Sequence, residues 1–102
     1  MASQAITILS VAGSSGSATG IAVNEGASVV TFQATAATGT GTAAVVIQVS
    51  NDGANWLTLG TLSLTLSGAA VTDGFAANSA WVYTRATISG SYTGTVTVVM
   101  GI

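Results

Sequence analysis

The chain has 102 residues, and only Glu25, Asp52, Asp73 and Arg85 carry full charges, for a net charge of -2; 49% of its residues are hydrophobic, and it has no lysine, histidine, proline or cysteine. Without Cys or His there is no disulfide, no thiolate, and neither the commonest metal ligand nor the commonest general base. A single arginine cannot neutralise a phosphate backbone, so nucleic acid is excluded as a partner. Gly, Ser and Thr also break every apolar stretch short of the roughly 20 residues that a membrane-spanning helix requires.

The elements follow in chain order. Residues Met1-Ala2-Ser3-Gln4 lack the cationic and continuous apolar regions of a secretory signal, which points to synthesis in the cytosol. Alternation and turn residues then predict strands at Gln4 to Val11, Ile21 to Val23, Ser28 to Thr35, Ala43 to Ser50, Asn55 to Leu59, Leu62 to Leu66, Trp81 to Ile88 and Gly94 to Met100. Gly13 to Gly20 and Ala36 to Thr42 read as loops of small residues. Asn51-Asp52-Gly53-Ala54 is a tight turn in which Gly supplies a positive φ. Asn24-Glu25-Gly26-Ala27, Thr72-Asp73-Gly74 and Ser89-Gly90-Ser91 read as further turns. Eight short strands with no room for crossover helices make one all-β domain over residues 1–102, an antiparallel β-sandwich of Ig-like or jelly-roll-like form.

The period of two places Val45, Ile47 and Val49 inside, and likewise Val96, Val98 and Met100. The doublets Val29-Val30, Val45-Val46 and Val98-Val99 leave Val29, Val46 and Val99 facing outward. An ordinary soluble domain is about a quarter charged and protects its sheet edges with Lys or Pro. This chain has neither feature, so its surface reads as one covered by other protein, in a homo-oligomer or a larger particle.

Candidate chemical sites are few. Asp52, Asp73 and Glu25 each stand beside Gly in a turn sequence, where a carboxylate binds backbone amides. Ser and Thr have no base to activate them, so no enzyme activity is expected. Asn51, Asp52 and Asn55 could offer oxygens to calcium, but a hairpin turn accounts for them, and no metal or cofactor is expected. Trp56, Trp81, Tyr83 and Tyr92 could stack on sugar rings with Asn55 close by. The alternative has Trp56 plugging one end of the sandwich, and Trp81 and Tyr83 sharing a strand face with Arg85. Arg85, the lone cation, should pair with Asp52, Asp73 or Glu25, or stack on an aromatic ring. The threonines of Thr38-Gly39-Thr40-Gly41-Thr42-Ala43 form too short a cluster for an ice-binding array and read as a loop.

The run Ile47-Gln48-Val49-Ser50-Asn51-Asp52-Gly53-Ala54-Asn55-Trp56, with Trp81-Val82-Tyr83-Thr84-Arg85-Ala86 and Gly94-Thr95-Val96-Thr97-Val98, resembles small β-sandwich domains of tailed-bacteriophage structural proteins. The resemblance covers roughly the last 60 residues. It implies a virion part, a capsid decoration protein on the capsid surface in contact with itself and the major capsid protein. It transfers no catalytic residue. The alternatives are a glycan-binding module of a tail or head fibre, and a tail-tube or neck subunit. Val29, Val46, Trp56, Trp81, Tyr83, Arg85 and Val99 are the candidate interface or ligand contacts.

Overall fold

The computed structural model describes residues 5–12, 15–23, 29–78 and 81–102. Eight strands run in the order β1 (Ala5–Ala12), β2 (Ser15–Val23), β3 (Val29–Ala36), β4 (Thr40–Ser50), β5 (Leu57–Ser67), β6 (Val71–Asn78), β7 (Tyr83–Tyr92) and β8 (Thr95–Gly101). They form two four-stranded antiparallel sheets, ordered β1-β8-β3-β6 and β2-β7-β4-β5. Strand β4 pairs with β5, β3 with β6, β2 with β7 and β1 with β8, so the chain is one long hairpin rolled up around its middle. Pairing of β3 with β8 and of β4 with β7 completes each sheet. This nested order is that of a jelly roll, and of the two sandwich forms read from the sequence it excludes the Ig-like one.

The core lies between the sheets and follows the alternation. Val45, Ile47 and Val49 are buried, as are Val96, Val98 and Met100. All of these but Val49 pack in one cluster with Val30 and Phe32 of β3, Leu62, Leu64 and Leu66 of β5, and Ile88 of β7.

Five stretches depart from the sequence expectation. Residues 15–20 belong to β2 rather than to a loop, because they pair with Ser91 to Ala86 of β7. Ser89-Gly90-Ser91 continues β7 instead of turning, and Thr40 and Thr42 belong to β4 rather than to the preceding loop. Asn55 to Leu59 and Leu62 to Leu66 are not two strands. From Leu57 on they merge into β5, with Asn55 and Trp56 outside it; its register shifts where Ile47 and Gln48 face Gly60 and Thr58, leaving Leu59 as the extra residue of a bulge. Gly60 is there for packing, since a Cβ at this position would stand 2.7 Å from Cζ of Phe75. Thr72-Asp73-Gly74 lies inside β6, with Val71, Asp73, Phe75 and Ala77 on the alternating inward side. The turn Asn24-Glu25-Gly26-Ala27 and residues Gln4 and Ser28 lie outside the described residues.

At one point Asp73 qualifies the expectation that the sheet edges are unguarded. Its Oδ2 accepts the Ser63 amide of β5 at 3.0 Å, and its Oδ1 accepts the Gly74 amide of β6 at 2.9 Å. Both are amides of sheet-edge strands, so one carboxylate guards one point on each edge and bridges the seam between the sheets there. The opposite seam closes by direct backbone approach. Gly20 of β2 lies so near Ile8 of β1 that a Cβ would meet the Ile8 carbonyl, at a point where the β1 register shifts between Thr7 and Leu9.

Candidate functional site

The last residues of β2, β4 and β6 and the first residues of β3, β5 and β7 lie at one end of the jelly roll, and that end gathers much of the polar and aromatic chemistry of the described residues. It is built outward from the turn after β4. The Asp-Gly pair puts Gly53 at φ +76°, as read from the sequence. Asp52 Oδ1 accepts the amides of Ala54 and Asn55 and the Ser50 hydroxyl, each at 2.8 Å, and its Oδ2 accepts Asn55 Nδ2 at 2.8 Å. The Asn55 amide foremost, then its side chain, the Ala54 amide and the Ser50 hydroxyl hold the Asp52 carboxyl well below the usual carboxylate range. Both oxygens of Asp52 thus serve the turn. Asn51 Oδ1 ties the same turn to the β6–β7 connection by accepting the Val82 amide at 3.1 Å.

The turn folds back over the outer face of the second sheet. Gly53 lies against the Tyr83 ring, where a Cβ would sit 3.6 Å from Cε2. Trp56 stacks on Arg85, with the guanidinium carbon 4.3 Å from the ring centroid. Arg85 faces Gln48 across the β4–β7 register and donates to its Oε1 from Nε at 2.8 Å and also from Nη2. Gln48 Nε2 donates in turn to Thr58 Oγ1 of β5 at 3.5 Å. Of the two fates expected for Arg85 the structure takes the aromatic stack; among the described residues no carboxylate pairs with it. Trp56 does not plug the sandwich, because its ring lies outside the second sheet over Arg85, whose face is opposite to that of the buried Ala86 and Ile47.

The other candidates are dispersed. Trp81 is half-buried just ahead of β7. Val46 is half-buried on the outer face of the second sheet, between Thr87 and Thr61. Val99 is half-buried on the outer face of the first, between Thr7 and Gln33. Val29 is 57% exposed at the start of β3, and Leu57 and Val82 are the other large exposed apolar residues among those described, all at the same end of the roll. Sequence reasoning missed Gln48, which reads as an ordinary outward polar residue until the register brings it beside Arg85. It also missed Asp73 as an edge cover, although the period of two in Val71, Phe75 and Ala77 was there to be read.

No family model and no curated sequence matches the chain. Solved structures do. The chain is similar to the PBSX exported protein XepA, with 16% identity and a TM-score of 0.67 over 96% of this chain; the match spans 36% of XepA. It is similar to a protein of the Bacillus endospore appendages, described as disulfide-linked pili, with 14% identity and a TM-score of 0.59 over 98% of this chain and 85% of the other. It is also similar to a carbohydrate-binding module of Cellvibrio mixtus lichenase 5A solved with cellotriose, with 11% identity and a TM-score of 0.53 over 96% and 85%. At such identities the likeness is one of fold, and this fold serves many functions.

Proposed function

We propose that this chain is a non-enzymatic structural module of a virion or exported particle, and more specifically a capsid decoration protein that packs with copies of itself on the major capsid protein. One observation carries the reading. The outer face of the β1-β8-β3-β6 sheet bears no ionised side chain among the described residues. Its cross-strand rows are Ser10-Thr97-Thr35-Thr72, Thr7-Val99-Gln33-Gly74 and Ala5-Gly101-Thr31-Ala76. The hydroxyls bond to one another, Ser10 to Thr97 at 3.2 Å and Thr35 to Thr72 at 3.0 Å, which lowers the cost of covering them. The molecule is 37 × 32 × 17 Å, so a broad face has room for the roughly 800 Å² per partner of a standard interface.

The two described acids support a role without catalysis. Asp52 is committed to its turn and Asp73 to the seam. A shallow groove of about 430 Å³ in the first sheet is lined by Thr31, Gln33, Thr72 and Asp73 among others, and the Asp73 carboxylate there is already engaged by the Ser63 and Gly74 amides. The likeness in fold to XepA and to the spore appendage agrees with a module of an exported assembly. Incubation with capsids lacking decoration, followed by sedimentation and electron microscopy, tests the finer reading: saturable, ordered binding supports it and absence of binding overturns it. The Trp56 and Arg85 cluster favours a second reading, a ligand-binding module.

A further inference from the structure

Arg85 is held by neutral groups. Among the described residues its partners are the Trp56 ring and Gln48 Oε1, which takes one N–H from Nε and one from Nη2. A guanidinium has five N–H donors, so three remain, two on Nη1 and one on Nη2, and that edge is the fork that matches a carboxylate. A carboxylate partner within the chain would have neutralised the charge. An amide leaves it in force and fixes its direction, with Gln48 itself steadied by Thr58. Trp56 is half-buried, with the guanidinium over its ring.

We infer that Trp56 and Arg85 form a binding site for an acidic glycan, a chain of uronate-type sugars. Such a chain supplies both complements at once: pyranose faces for the indole, and a carboxylate on each residue for the free guanidinium edge. An acidic peptide offers the carboxylate on a flexible alkyl stem with no flat face for Trp56, and a neutral glycan leaves the guanidinium unanswered. The site lies on the outer face of the second sheet, apart from the ion-free face of the first, so it stands or falls independently of the assembly reading.

Titration of the full chain with trigalacturonic acid, followed by NMR of the Trp56 indole N–H and the Arg85 Nε–H, tests the site. Saturable shifts of both signals are expected, with a neutral galactose trisaccharide binding about tenfold more weakly and Arg85→Lys losing about tenfold in affinity for the uronide. Gln48→Ala, which keeps the charge but frees its direction, is expected to weaken binding too, and answers the same question if Arg85→Lys does not fold. Absent shifts, equal binding of the neutral trisaccharide, unchanged affinity in the folded variants, or displacement by hexaglutamate at lower concentration than the uronide would each overturn the inference.

Discussion

Replacing Asp73 with alanine frees one amide on each of two sheet-edge strands in one step. The carboxylate accepts the Ser63 amide at 3.0 Å and the Gly74 amide at 2.9 Å. A typical hydrogen bond contributes about 0.5–1.5 kcal/mol net. Asp73 is half-exposed, so water recovers part of the loss, and the two bonds together are worth about 1–2 kcal/mol. For a domain of this size each kcal/mol moves Tm by about 4–8 °C, so Asp73→Ala should melt about 5–15 °C lower. Asp73→Asn keeps one acceptor oxygen and should fall between. The uncovered amides of β5 and β6 also become templates for strand addition, so light scattering should rise in Asp73→Ala well below its melting transition. Circular dichroism melts and scattering on the three proteins decide it. An unchanged Tm together with unchanged scattering would refute the seam role.

Gly60→Ala should destabilise by about 1–3 kcal/mol, because the new methyl lands on the Phe75 ring, and the added Phe75→Leu change should recover part of that loss in urea melts. Arg85→Ala should cost about 1 kcal/mol through the lost stack on Trp56 and the orphaned Gln48 oxygen; an equal Tm would contradict the packing described. Asp52 has a folded pKa below its unfolded one, so its stabilising effect is present above the ordinary carboxylate range and is lost only as pH falls through the lower folded value. Its side-chain ¹³C signal should therefore titrate below that of a free aspartate, and a midpoint at the free value would count against the four-bond turn.

The core and the central turn were legible because each is specified locally. Val45, Ile47 and Val49 alternate strictly, and Asp52-Gly53 has the chemistry of a tight turn wherever the rest of the chain goes. Strand order is not local. Ig-like and jelly-roll sandwiches share the same alternation and differ only in which strands pair, and here that rests on the nesting of β1 to β4 against β8 to β5. Local reading misled where a residue answered to a distant partner. Gly60 fell between two predicted strands but lies inside β5 and is small because of Phe75; Asp73-Gly74 looked like a turn but bridges two strands; residues 15–20, poor in large side chains, become a strand because β7 lies beside them. The same holds for the site. Tyr83 and Arg85 were read as sharing a strand face and Arg85 as a stacking cation, yet the meeting of Arg85 with Gln48 depends on the β4–β7 register, which sequence spacing does not contain.

Sedimentation velocity of the native chain and of Thr35→Lys, from micromolar to sub-millimolar concentration, tests most directly whether the ion-free face of the first sheet meets other copies. Thr35 is exposed on a central strand of that face, so lysine there leaves the core intact and sets like charges against each other wherever two faces meet. The native chain should sediment as an oligomer and the folded variant as a monomer. Identical sedimentation of the two, whether both single or both assembled, would contradict it.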